Sequence, residues 1–209
     1  KYGVLSLQID NNEVKNETPL LFNIMLDVSG SMSDIVSHNR SKMQLLNHTI
    51  TNMIHFFAEN CNNVSIDIKG FDDRIHNYID ATLVTKNNVN ELLDKLHSIR
   101  PMNSTNIELA LDTLNNSKKN VDQQRQVNIL LTDGHPTSGS MDPKELMQYV
   151  LKNNIYHFIA IGNDHNAKLM NTLGHVDPLA NNWFINEIEH TGNVYGEIIY
   201  NEINLVSEK

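Results

Sequence analysis

Cysteine is nearly absent from this sequence: its 209 residues include one, Cys61. A single thiol cannot form an internal disulfide, and it cannot supply the several thiolates of a cysteine-based zinc site. A reducing compartment is therefore the simpler interpretation. Cys61 follows a predicted helix and is surrounded by asparagines, and we expect a structural or incidental role for it rather than a reactive one.

Positive charge is also scarce. The 16 lysines and arginines are outnumbered by 25 aspartates and glutamates, which gives a formal net charge of −9. No run of basic residues offsets this, so the electrostatics give no support to a nucleic-acid partner. No apolar run approaches the roughly 18 residues of a membrane span, so none is expected in this segment. With 40% hydrophobic and 20% charged residues, the composition is that of a folded globular domain.

Apolar patterns predict strands that alternate with helices. Residues 21–26 and 127–131 are continuous apolar runs typical of buried strands, and residues 75–80 look like a shorter strand at an antiparallel edge. Ser104 or Thr105 is the expected cap of one helix, and Asp142-Pro143 is a typical helix start. The predicted strands are 21–26, 64–71, 75–80, 127–131, 155–162 and 183–185, and the predicted helices are 40–60, 89–99, one that carries the apolar residues of 107–114, one from 142, 164–173 and 187–204.

This order predicts an α/β fold with a doubly wound, mostly parallel central sheet, helices on both faces and one short antiparallel edge strand. The expected domain covers residues 20–204. It follows an N-terminal extension, 1–19, in which the alternation of residues 1–10 suggests an extra strand, and it precedes a tail, 205–209. The chain opens with Lys1 rather than Met and has no signal peptide, so we expect it to be a fragment of a longer protein.

Oxygen-bearing side chains follow the two most apolar strands. Asp27, Ser29 and Ser31 come directly after the first, Asp133 comes after residues 127–131, and Thr105 lies in a loop before a helix. Ligands of such sheets bind beyond the carboxyl ends of the strands, where the strand order reverses. Mg²⁺ prefers oxygen ligands and retains part of its water shell. With only two carboxylates among these five side chains, a bound ion would stay attractive to an incoming carboxylate.

The pattern Asp27-x-Ser29-x-Ser31, then Thr105, then Asp133, resembles the metal-ion-dependent adhesion site of von Willebrand factor A-type domains. The resemblance extends over about residues 20–200 and includes the order of strands and helices. It implies a non-enzymatic module in which Mg²⁺ or Mn²⁺, held by these five residues, coordinates an Asp or Glu of a partner protein. The family often has Gly-Gly-Thr or Gly-Thr where this chain has Asn103-Ser104-Thr105, which predicts a stiffer loop.

Within that family the chain is similar to intracellular domains attached to RING or U-box ubiquitin ligases. The similar segments are 70–73, 105–107, 162–166 and 183–185 with the helix that follows. This resemblance implies a substrate-recruiting role in the ubiquitin pathway. An intracellular, cytoplasmic location also fits the triplet Asn103-Ser104-Thr105, because a glycan on Asn103 would crowd the metal loop.

Three other interpretations stay open at this stage. The Asp27 loop could be a capped turn with no ion, or the ion could serve stability alone. The motif of a haloacid-dehalogenase-type phosphohydrolase also starts with an Asp at a strand end, but it needs a second Asp where this chain has Ser29.

Asp72 and Asp73 are interpreted as loop carboxylates that border the site, and the ten scattered histidines as surface or satisfied core residues. Met43 and Met53 are expected to fill the core.

Overall fold

The computed structural model describes residues 18–204, apart from 38, 103 and 118–123. The extra strand expected within residues 1–10 lies outside this range. The strands are β1 (Leu20–Asp27), β2 (Ile35–Ser37), β3 (Arg40–Ser41), β4 (Val64–Phe71), β5 (Ile75–Leu83), β6 (Arg125–Thr132), β7 (Ile155–Ile161) and β8 (Ala180–Ile185). The helices are α1 (Lys42–Asn60), α2 (Val89–His97), α3 (Ile107–Asn115), α4 (Pro143–Leu146), α5 (Ala167–Gly174) and α6 (Ile188–Asn204).

The central sheet has six strands in the order β5-β4-β1-β6-β7-β8. All of its pairs are parallel except β4 with β5, which are antiparallel. All eight residues of β1 are buried, as expected for a strand covered on both faces. The predicted doubly wound sheet is confirmed. Its antiparallel edge strand runs to Leu83 rather than ending at Asp80, and the small β2–β3 sheet was not expected.

Two apolar clusters pack against opposite faces of this sheet. One contains Phe22, Ile24 and Leu26 of β1 together with residues of α1, α2 and α6, and Met43 and Met53 belong to it as predicted. The other contains residues of α3, α4 and α5. Successive residues of a strand point to opposite faces, so the continuous apolar run of β1 supplies both clusters.

Several helix starts differ from the expected positions. Arg40 and Ser41 pair with β2, so α1 begins at Lys42, where Ser41 and Gln44 form a reciprocal capping box. Neither Ser104 nor Thr105 caps α3: the Asn106 side chain does so by accepting from the Leu109 amide. The α3 cap prediction was therefore wrong. Asn was passed over although it is as good a cap as Ser.

Other boundaries shift by a few residues. Helix α5 begins at Ala167, capped by Asn166, rather than at Asp164, and β8 begins at Ala180 rather than at Trp183. The helix start at Asp142-Pro143 is confirmed, with the Asp142 side chain accepting from the Lys144 amide. Within the described part of the chain, no helix is both long and apolar enough to cross a bilayer.

Cys61 occupies the C-terminal cap of α1 and is buried. Burial raises the pKa of its thiol from 9.0 to about 11, so the thiol stays protonated at neutral pH. Because the thiolate is the reactive form, this environment supports the expected structural role.

Candidate metal centre

The candidate site lies where the order of the strands reverses. From β1 the chain proceeds to β4 and β5 on one side, and it returns through β6 on the other side of β1. The loops that leave the carboxyl ends of β1 and β6 are therefore neighbours. Asp27 is the last residue of β1, and Asp133 directly follows β6. The edge expected from the sequence is the edge at which the structure has both carboxylates.

The Asp27 carboxylate is fully buried and accepts hydrogen bonds from the loop after β1 and from the end of β6. One oxygen, Oδ1, accepts from the Ser29 amide at 2.9 Å, and Oδ2 accepts from Thr132 Oγ1 at 2.6 Å. Thr132 Oγ1 in turn accepts from the Gly134 amide at 2.9 Å. Thr132 was not among the predicted site residues. The only signal in the sequence was its place between the buried strand and Asp133.

Burial raises the pKa of Asp27 from 3.8 to about 6. The hydrogen bonds from Ser29 and Thr132 oppose this rise, and the negative charge of Asp133 adds to it. The two carboxylates are thus close enough to repel each other in a buried setting. A cation beside them would favour the charged form of Asp27.

Ser29 and Ser31 present their hydroxyls side by side. Their Oγ atoms are 3.1 Å apart, with Ser29 buried and Ser31 half-buried in the 3-10 turn Gly30–Ser33. Adjacent ligands of an octahedral Mg²⁺ ion, each about 2.1 Å from the metal, lie about 3 Å apart. The spacing of the two hydroxyl oxygens matches that requirement.

The loop that carries Thr105 is attached to both of the other loops. The Met102 amide donates to the Val28 carbonyl. The Thr105 amide donates to Thr137 Oγ1 at 2.8 Å, and the Thr105 carbonyl accepts from the Thr137 and Ser138 amides at 2.9 and 3.1 Å. Thr105 is buried. All three predicted loops therefore meet at one edge. Residue 103 lies outside the described residues, so the predictions about a glycan there and about a stiffer loop stay predictions.

Asp133 is paired with a lysine that was not among the predicted site residues. Asp133 Oδ1 accepts from the His135 amide at 3.2 Å, and Oδ2 lies 3.1 Å from Lys42 Nζ. Lys42 is the first residue of α1, is 2% exposed, and also lies 3.0 Å from the Asp164 carboxylate. Burial opposes the charge of Lys42, but hydrogen bonds and charge from Asp164 and Asp133 outweigh it and raise its pKa. A lysine in the first turn interacts unfavourably with the helix dipole, and the two carboxylates compensate for this here.

Asp72 is buried, not exposed as a loop carboxylate usually is. Its Oδ1 accepts from the Arg74 amide at 3.0 Å and lies 2.9 Å from His76 Nε2, and the Asp72 carbonyl accepts from the Asn106 amide at 2.9 Å. Asp72 therefore contacts the residue that directly follows Thr105, as expected for a residue that borders the site.

Histidines and carboxylates do not assemble into a metal cluster by themselves. Among the described residues, no group of three His, Cys, Asp or Glu side chains is placed to hold an ion. His157 is a satisfied core residue, bonded to Glu202 and Trp183. Any ion at the β1–β6 edge must use hydroxyl oxygens as well as carboxylates. Such a mixed oxygen set suits Mg²⁺ or Mn²⁺ better than the softer transition metals.

The sheet order and this edge define an α/β domain with its candidate site at the topological switch point. The sequence matches the von Willebrand factor type A domain over residues 23–191, and the chain belongs to that family. The VWA domain is a fold of protein–protein interaction and adhesion, and its members are generally non-enzymatic. No curated protein matched the sequence.

Solved structures share the fold at low identity. A von Willebrand factor type A structure from Catenulispora acidiphila has a TM-score of 0.71 and 15% identity, over 87% of this chain and 42% of that one. The pilus adhesin SpaC from Lactobacillus rhamnosus GG has a TM-score of 0.70 and 13% identity, over 92% of this chain and 31% of the adhesin. The PilB minor pilin from Streptococcus sanguinis has a TM-score of 0.69 and 16% identity, over 90% and 62%. The chain thus spans less than two thirds of each.

Proposed function

We propose that this domain binds Mg²⁺ or Mn²⁺ through Asp27, Ser29, Ser31, Thr105 and Asp133, and that the ion coordinates an Asp or Glu of a partner protein. The observation that carries the proposal is the meeting of the three loops at the β1–β6 edge. The chemistry that the ion supplies is a positive centre with exchangeable positions, to which a carboxylate binds.

The arrangement of the hydroxyls supports this proposal over a capped turn. A turn needs neither a second hydroxyl 3.1 Å from the first nor two buried carboxylates that repel each other. Burying two like charges is costly unless something compensates for them. Lys42 compensates for the charge of Asp133, and a divalent ion beside Asp27 would compensate for the other charge.

Ion binding is tested by thermal unfolding with MgCl₂ or MnCl₂ and with chelator. An ion at ten times its Kd adds about 1.4 kcal/mol, or roughly 3–6 °C in Tm. Asp27→Asn should abolish the shift. Asp80→Asn, which removes an exposed carboxylate from β5, should preserve it. A wild-type Tm that does not respond to millimolar metal would refute the ion site.

Partner recognition needs a separate experiment. An array of peptides that carry a central Glu is probed with the Mn²⁺-saturated domain, beside matched peptides in which that Glu is Gln. We expect binding to some Glu peptides, lost in the Gln counterparts and in chelator. Equal binding with and without metal would leave the ion a stabilising role only.

A substrate-recruiting role in the ubiquitin pathway is the narrower proposal. It is supported by the likeness of segments 70–73, 105–107, 162–166 and 183–185 to domains attached to RING or U-box ligases. An intracellular location belongs to the same proposal. Co-purification of ubiquitin-conjugating activity with the full-length protein would test both.

The alternative of a phosphohydrolase is disfavoured because this chain has Ser29 where that class of enzyme needs a second Asp. We expect no turnover of a phosphate ester with Mg²⁺.

A further inference from the structure

We propose that Lys42 is a positioning residue of the ion site, which holds the Asp133 carboxylate and offsets its charge so that the bound ion keeps more of its own charge for the partner's carboxylate. This inference rests on the proposed function and assigns a role to a residue outside the predicted ligand set. Lys42 is the first residue of α1, and its Nζ lies 3.1 Å from Asp133 Oδ2.

The geometry leaves Asp133 with both oxygens engaged. Oδ2 is 3.1 Å from Lys42 Nζ, and Oδ1 accepts from the His135 amide. The Asp133 side chain is fully buried and that of Lys42 is 2% exposed, so water screens this pair very little. The contact with Lys42 therefore opposes any movement of the Asp133 carboxylate toward an ion.

The surrounding chain is shaped to admit the lysine. Gly162 has a φ of +91°, and a Cβ there would lie 2.8 Å from Lys42 Cε. The Asp133 carbonyl accepts from the Asn166 amide at 3.0 Å, and the Lys42 amide donates to the Asp34 carbonyl at 3.0 Å. Lys42 therefore joins the loops after β1, β6 and β7, and glycine at 162 keeps the path of its side chain open.

Charge accounting gives the consequence. Asp27 and Asp133 together carry two buried negative charges. Lys42, which also pairs with the exposed Asp164, offsets the charge of Asp133 in the absence of an ion. Without Lys42, Asp133 would present its full negative charge to the ion. The ion would bind more tightly, and it would have less positive charge left for an incoming carboxylate. A lysine that served the fold alone would, on removal, weaken the binding of both ion and partner.

The test compares Lys42→Met with wild type for two affinities. Calorimetric titration with Mn²⁺ should show binding about tenfold tighter in Lys42→Met, the effect expected for one charge removed near the ion. Affinity of the Mn²⁺-saturated variant for a wild-type-binding Glu peptide should fall. The proton relaxation of Mn²⁺-bound water should show fewer exchangeable waters, because Asp133 is free to become a direct ligand.

Lys95→Met is the matched control, since it removes a lysine from an exposed pair with Glu91 on α2 and should change none of these readouts. Lys42→Gln keeps a hydrogen-bond donor to Asp133 and carries the test if Lys42→Met does not fold. Weaker or unchanged Mn²⁺ binding in the Lys42 variant that folds overturns this inference and leaves the proposed function intact. A wild-type domain that binds no Mn²⁺ overturns the proposed function itself.

Discussion

Asp27 combines two properties that rarely coexist on a stable domain: it is fully buried, and its neighbours include a second buried carboxylate, Asp133. Its hydrogen bonds to Ser29 and Thr132 only partly offset the loss of hydration. In the metal-free protein this residue therefore costs stability when it is ionised. A bound cation would relieve this cost, and the relief would add to the free energy of cation binding.

The pH dependence of the metal-free domain follows from that cost. Burial raises the pKa of Asp27 from 3.8 to about 6, so between these values the folded state binds more protons than the unfolded state. The Asp27 contribution to stability is present below about pH 4 and is lost as pH rises through about 6, for a total on the order of 3 kcal/mol. Urea unfolding in chelator should show this fall, and Asp27→Asn should flatten it. Asp80→Asn serves as control, and a slope that survives in Asp27→Asn would contradict the assignment.

At the residue scale, the sequence predicted most of the polar residues that follow the apolar strands, together with Thr105, and it missed Thr132 and the ion pair of Lys42 with Asp164. Asp27, Ser29 and Ser31 follow one apolar run and Asp133 another, so parallel pairing was enough to bring them to one edge. Lys42 and its partner Asp164 are 122 residues apart. Nothing in the local pattern of either residue identifies the other, and only the packing of α1 against the sheet brings them together.

Helix α6 is attached to the sheet near its C-terminal end by Glu202. Arg125 Nη2 donates to Glu202 Oε2 at 2.7 Å, and Arg125 Nη1 donates to the Glu202 carbonyl at 2.9 Å. Trp183 Nε1 donates to His157 Nδ1 at 3.0 Å, which leaves Nε2 of that ring to donate to Glu202 Oε1, also at 3.0 Å. One carboxylate thereby joins α6 to β6, β7 and β8.

Removing this carboxylate should be costly. Glu202→Ala leaves Arg125 without an acidic partner and the buried His157 without an acceptor, and we expect a loss of about 2–3 kcal/mol in the free energy of unfolding. Denaturant unfolding in urea measures it. Glu197→Ala, an exposed change on the same helix, should stay within about 0.5 kcal/mol. Similar losses in the two variants would show that Glu202 contributes only helix propensity.

Elements themselves were predicted better than their ends. The strands of the sheet and their parallel pairing follow from apolar runs such as residues 21–26. The ends depend on which nearby residue makes the capping or pairing hydrogen bond. Asn106 caps α3, and Arg40 pairs with β2 instead of extending α1. The β2–β3 pair was not predicted because strands of three and two residues are too short to show an alternation of apolar and polar residues.

In the described residues the six-stranded sheet lies between two apolar clusters, so the loss of either cluster would expose one apolar face of the sheet to water. We expect a single cooperative unfolding transition.

Trp183, the chain's one tryptophan, packs against the cluster of α1, α2 and α6, so its fluorescence reports the unfolding of that face. Leu111 is fully buried in the cluster on the opposite face. Leu111→Ala should destabilise the domain by about 2–5 kcal/mol. In urea it should shift the Trp183 fluorescence midpoint and the far-UV circular dichroism midpoint equally, because the two faces unfold together. A circular dichroism midpoint that moves while the fluorescence midpoint stays would mean that the α3 face opens by itself. The site at the β1–β6 edge would then lose its Thr105 loop before the rest of the domain unfolds.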